Sequence, residues 1–216
     1  MNIKGAIFDM DGTLLDSMVQ WHTLSSRYIS SLGKPVEDGL EEKLNSMEYP
    51  KNREYIKEHY CPEKTLEEIN DGMLQCMADF YHDEVELRPY VKELLEDLKS
   101  RGVKMCVASA TPKWMCEIAL KKVGIDGYFS EVFDVPSVGK SKKFPDIFEK
   151  ALAYLGTQKE ETPVFEDAHY SIKTCKAANF PVIAIRDKTE PKQEEIKELA
   201  DVYLLCYGER EKIFTE

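Results

Sequence analysis

The sequence predicts a doubly wound parallel α/β sheet that carries an inserted helical module. Three observations lead there. From Tyr90 onward, helix-period and strand-period segments alternate; residues 5–8 form a further short strand of the buried type; and residues 16–84 break the rhythm with helix-like stretches and no strand pattern. Strands alternating with helices of this length require parallel crossovers. Ligands of such sheets bind beyond the carboxyl ends of the strands, where Asp9, Ser109, Asp134 and Glu166 stand.

The first strand runs into Asp9. After the interruption, Pro89 opens a helix with Val91, Leu94, Leu95 and Leu98 on one face and Gly102 as its stop, and strand 103–108 follows. Thr111 and Pro112 open a helix carrying Met115, Ile118, Ala119 and Val123, which ends near Gly124 before strand 131–135. Pro145 starts a helix through Leu155 with Gly156 as cap, followed by strand 163–165; a helix over 171–178 stops at Asn179, before strand 182–185. In the interruption, Gly33, Pro35, Pro50 and Pro62 separate three or four helices. Ser17 caps one bearing Met18, Trp21, Leu24, Tyr28 and Leu32, and Thr65 with Glu68 forms a capping box ahead of Ile69, Met73, Met77 and Phe80. The expected division is therefore a core of residues 1–15 and 85–216 and a helical insert of residues 16–84.

Of the net charge of −11 over 216 residues, −8 falls in residues 16–84. A surface this acidic repels polyanions, so neither nucleic acid nor an anionic membrane is an expected partner; a small anion in a local basic pocket is compatible. The longest apolar run, residues 202–207, is far shorter than the roughly 20 residues of a membrane helix, and no leader pattern follows Met1, so the expected location is the cytoplasm. The six cysteines show no C-x-x-C spacing and are expected as reduced thiols. A monomer is the expected state.

Four short constellations can carry chemistry. In Phe8-Asp9-Met10-Asp11-Gly12-Thr13, carboxylates at alternate positions leave a buried strand for a Gly-containing turn and can share a divalent cation or divide the work of nucleophile and general acid. A plain Asp-Gly turn uses the same letters, whereas a calcium loop fails on spacing, since Gly12 falls fourth rather than sixth. Ser109 and Thr111, between strand and helix, suit either a phosphate oxygen or a helix cap. Lys140, Lys142 and Lys143 precede Pro145-Asp146, where a lysine can neutralise a phosphoryl group or form part of a solvated loop. Glu166 and Asp167, at a strand end, suit magnesium or a helix dipole.

In this order and placement, Asp-x-Asp-Gly-Thr, Ser109, the lysine before Pro145-Asp146 and Glu166-Asp167 resemble the haloacid dehalogenase-like hydrolase superfamily over nearly the whole chain, in its subgroup with a helical cap after the first motif. The resemblance implies a Rossmann-like core, with residues 16–84 as the cap. It further implies a magnesium-dependent phosphatase for a small phosphorylated metabolite. Asp9 is then the nucleophile that forms an aspartyl-phosphate and Asp11 the acid and base. Ser109 and Lys142 bind phosphate, and Asp9, the Asp11 carbonyl, Asp167 and Glu166 hold Mg2+. Lys142 is selected because it stands three residues before Pro145, although Lys143 replaces the family's usual proline, and Ala168 and Ser171 also depart from the pattern. A phosphomutase of the β-phosphoglucomutase kind shares these motifs. Such mutases carry a histidine on the first cap helix and an arginine-bearing loop; here Trp21 stands at the matching position with His22 after it, and no equivalent loop is evident between Gly39 and Arg53. Trp21, His22, Tyr49 and Arg53 are the insert's candidate substrate contacts.

Overall fold

A computed structural model describes residues 2–47 and 49–214, with the side chains of Tyr49 and Pro50 outside the description. The chain divides into two compact units, Met1–Asp16 with Val85–Glu216, and Ser17–Glu84.

The first unit contains six parallel strands, β1 (Gly5–Phe8), β2 (Lys104–Ser109), β3 (Val132–Asp134), β4 (Val164–Glu166), β5 (Val182–Ile185) and β6 (Val202–Leu204), ordered β3-β2-β1-β4-β5-β6. Every residue of β1, β4 and β5 is buried, as expected for parallel strands covered on both faces, and each large apolar side chain so placed contributes about 1.5–3 kcal/mol. Gly5 opens β1 because nothing larger fits: a Cβ there would lie 2.5 Å from Thr157 Oγ1. The strand order reverses between β1 and β4, the place where open α/β sheets bind ligands. Phe8 of β1 stacks on Phe165 of β4, with centroids 4.2 Å apart at 16°. The ring pair lies in register, so the residues that follow, Asp9 and Glu166, emerge side by side.

In the second unit lie α1 (Met18–His22), α2 (Leu24–Ser31), α3 (Leu40–Asn45), α4 (Tyr49–Tyr60) and α5 (Leu66–Asp83). The capping box of Thr65 and Glu68 is formed at the start of α5 by reciprocal bonds of 2.7 and 3.1 Å. The single helix read from Ser17 to Leu32 is instead two. Thr23 turns its hydroxyl back onto the Val19 carbonyl at 2.9 Å, a bond that competes with helix continuation, and Ser17 makes no side-chain cap.

The covering helices of the first unit are α6 (Val91–Ser100), α7 (Lys113–Lys122), α8 (Val135–Val138), α9 (Asp146–Leu155), α10 (His169–Ala177) and α11 (Gln193–Leu199). The strand read over 131–135 ends at Asp134. Its carboxylate caps α8 through Ser137 N at 3.2 Å and accepts from Lys113 N at 2.8 Å at the start of α7, while Pro136 sits in the first turn of α8, a place suited to proline. The cysteines are free thiols, five of them buried. Among the described residues no helix is long and apolar enough to cross a membrane.

Candidate active site

Asp9 leaves β1 with its amide still in the sheet, donating to the Phe165 carbonyl at 2.9 Å, and the residue is 6% exposed. The next residues turn sharply. Gly12 adopts φ 79°, which glycine alone takes without strain, and Leu14 and Leu15 both donate to the Met10 carbonyl at 2.9 Å. Across the site, Lys142 is 2% exposed and its ammonium donates both to Asp9 Oδ1 and, at 2.9 Å, to Glu166 Oε1. The other two lysines of the cluster lie outward: Lys143 is exposed, and Lys140 pairs with Asp146 at the surface.

Glu166 also holds its own loop. Its Oε2 accepts from the amides of Asp167 and Ala168, both at 2.9 Å. Asp167 is buried and accepts from Thr13 Oγ1 at 2.8 Å, which ties it to the turn after Asp9. Carboxylate oxygens of Asp9, Glu166 and Asp167 all lie within 4.8 Å of one another. Asp11 is only partly buried, and its Oδ2 accepts from Thr111 Oγ1 at 2.7 Å. Ser109 is buried at the end of β2 and its hydroxyl accepts from the Thr111 amide at 3.0 Å, while the Thr111 hydroxyl donates to Asp11. The sequence assigns no role to Thr13, Arg88 or Asp187, and Thr111, read as a phosphate contact or helix cap, holds Asp11 instead; Arg88 reaches the Gly12 carbonyl at 2.6 Å and Asp187 at 2.7 Å. The insert's candidates lie in the second unit. Trp21 Nε1 donates to Tyr81 at 3.0 Å, the His22 carbonyl accepts from Asn45 at 2.9 Å, Arg53 bonds Asn52 at 2.5 Å, and the Tyr49 side chain is outside the described residues.

One ammonium faces three buried carboxylates here, so negative charge is in excess. Burial, reinforced by Glu166 and Asp11, pushes the Asp9 carboxyl up to about 7 against the opposing pull of Lys142. Burial, with Glu166 and Asp9, raises Asp167 as well. Burial alone would lower Lys142, but Asp9 and Glu166 outweigh it and raise it. An acid raised on folding adds stability below its unfolded value, 3.8 for Asp9, and that stability is lost as pH rises through about 7. Thermal melts in chelator should therefore show lower stability at about pH 8 than at about pH 6 from these groups, and Asp9→Asn should flatten that slope. An unchanged slope in the variant contradicts the charge excess.

The chain matches the family model of the haloacid dehalogenase-like hydrolases over residues 6–185. Among curated proteins it is similar to the phosphorylated carbohydrates phosphatase of Thermotoga maritima, 25% identical over 178 residues and 82% of either chain. It is also similar to pyrophosphatase PpaX of Bacillus mycoides, 26% identical over 199 residues that span 86% of this chain and 84% of the relative. Two solved structures share the fold: a candidate β-phosphoglucomutase of Thermotoga maritima (TM-score 0.83, 22% identity, 98% of both chains) and CbbY of Rhodobacter sphaeroides in complex with phosphate (TM-score 0.77, 20% identity, 96% of both).

Proposed function

The chain belongs to the haloacid dehalogenase-like hydrolases as an enzyme of the phosphatase type, and from that premise we propose that it hydrolyses a small phosphorylated metabolite, with Mg2+, through an aspartyl-phosphate at Asp9. The observation that carries this reading is the buried Asp9 at the switch point of the sheet, joined to Lys142 and within reach of two further acids. Its curated relatives act on phosphorylated carbohydrates and pyrophosphate, by their names.

The donor set fits magnesium. Three buried carboxylates with excess negative charge supply the hard oxygens this ion prefers, and Asp9, Asp167, the Asp11 carbonyl and Glu166, directly or through a water, would hold it. When bound, the ion supplies positive charge for the phosphoryl oxygens.

The chain's own groups divide the remaining work. An Asp9 oxygen attacks phosphorus in line, forming the O–P bond as the bond to the leaving oxygen breaks. Asp11, held by Thr111, gives its proton to that oxygen. In the second step Asp11 takes a proton from water, whose oxygen bonds to phosphorus while the Asp9–phosphorus bond breaks, and inorganic phosphate leaves. Lys142 offsets the charge on Asp9 and on the phosphoryl group, and Ser109 donates to a phosphoryl oxygen. The helical unit selects among leaving groups, and the enzyme works as a cytoplasmic monomer; a dimer on size-exclusion chromatography would refute the latter.

Hydrolysis of an aryl phosphate should need Mg2+ and vanish in chelator, and inorganic phosphate should equal substrate consumed. Full activity in excess chelator would overturn the metal assignment. In phosphorus NMR of β-glucose 1-phosphate with a trace of the sugar bisphosphate, rapid conversion to glucose 6-phosphate with little free phosphate would replace the phosphatase by a mutase.

A further inference from the structure

The chain leaves the sheet-bearing unit at Asp16 and returns to it at Val85, and there the two crossing segments pair. Asp16 N donates to the Glu86 carbonyl at 3.1 Å, Arg88 N donates to the Leu14 carbonyl at 2.9 Å, and Leu15 bridges Leu87 antiparallel. This pairing delivers the Arg88 side chain, 14% exposed, beneath the turn that follows Asp9. One guanidinium nitrogen donates to the Gly12 carbonyl at 2.6 Å and to Asp187 Oδ2 at 2.7 Å, and the other donates to the Arg186 carbonyl. Asp187 is itself fixed, since its Oδ1 accepts from Thr189 N at 2.8 Å and Thr189 Oγ1 at 2.6 Å, and its carbonyl accepts from Gln193 at 2.7 Å.

Apart from the side-chain bonds of Asp11 to Thr111 and of Thr13 to Asp167, the turn is held by backbone bonds within residues 10–15: Gly12 N donates to the Leu15 carbonyl at 3.0 Å, and Leu14 N and Leu15 N share the Met10 carbonyl. The bonds to Gly12 O and Leu14 O thus join the turn to the return segment through one residue. That turn carries Asp11 and Thr13, the latter holding Asp167.

We propose that Arg88 is a positioning residue, a planar three-acceptor clamp anchored on Asp187 that fixes the Gly12 turn and thereby sets Asp11 relative to Asp9. The inference rests on the phosphatase reading for its kinetic effect, but its effect on the turn can be read without turnover. A guanidinium suits the task because its donors diverge in one plane at fixed angles; an ammonium cannot reproduce that pattern.

The test is Arg88→Ala, Arg88→Lys and Asp187→Asn, assayed with an aryl phosphate and by amide hydrogen exchange. Arg88→Ala should lower kcat roughly 10- to 100-fold with less than about 3-fold change in KM, and Arg88→Lys should not restore it. Exchange should quicken in peptides covering residues 10–15 and stay unchanged in β2 and β5. Millimolar guanidinium ion should recover part of the kcat of Arg88→Ala. Asp187→Asn should shift kcat and exchange in the same direction by less, and it carries the test if Arg88→Ala does not fold. A rise in KM at constant kcat would make Arg88 a substrate contact, and unchanged exchange at residues 10–15 would overturn the clamp. Quickened exchange at the turn in a protein whose wild type hydrolyses no phosphate would sustain the clamp and refute the function instead.

Discussion

Asp9→Asn is expected to remove turnover by at least about 10³-fold while the fold persists, because the amide cannot attack phosphorus. The substitution is nearly isosteric, so the Phe8–Phe165 stack and the bond from residue 9 to the Phe165 carbonyl are retained, and Lys142 keeps Glu166 as partner. Removing one of three crowded carboxylates relieves the charge excess, so the melting temperature in chelator should not fall. Asp11→Asn should behave differently. It leaves the nucleophile in place but slows both proton transfers, by about 10²- to 10⁴-fold, and acid quenching should trap a phosphoenzyme. Steady-state kinetics with quench-flow separates the two variants, and wild-type turnover by Asp11→Asn would contradict its role as acid and base.

The second large effect is expected at Lys142. Its ammonium is buried between Asp9 and Glu166, so Lys142→Ala leaves two buried carboxylates without their cation. Breaking such a pair from one side costs about 3–5 kcal/mol of stability. Activity should fall with it, since the phosphoryl charge also loses a counterion. Lys140→Ala and Lys143→Ala should change little, as both residues are exposed and Lys140 meets Asp146 and the Phe144 ring at the surface. Chemical denaturation and kcat/KM on the three variants give the ranking; a larger loss at Lys140 or Lys143 would move the phosphate-binding role to that residue.

Much of the sheet was legible because a parallel strand buried on both faces reads as a continuous apolar run, as Gly5–Phe8 and Val182–Ile185 do. The last strand and helix were not assigned. The helix Gln193–Leu199 buries one residue, Ile196, too few for a periodic signal, and Val202–Leu204 merges with an apolar stretch that carries no stop. Within the insert, Thr23 ended a helix whose apolar spacing ran straight through it. At the candidate site, the acids could be placed because they follow strands, and Lys142 because of its spacing from Pro145. Thr13, Thr111 and Arg88 bond to residues 154, 100 and 99 positions away, and no local pattern announces such partners.

The pairing of Leu15 with Leu87 bears on how this architecture changes over time. Where the backbone departs and where it comes back are a hydrogen bond apart, so the intervening 17–84 segment resembles a graft on a closed stem. Replacement by a tight turn, or by a module of another shape, leaves strand order and register untouched, since among the described residues no sheet hydrogen bond passes through 17–84. Loop-closure entropy grows only slowly with length, so a larger or smaller graft alters stability little through the stem itself. If the helical unit selects the leaving group as proposed, selectivity can diverge by exchange of a whole module while the acid-bearing turn is inherited intact.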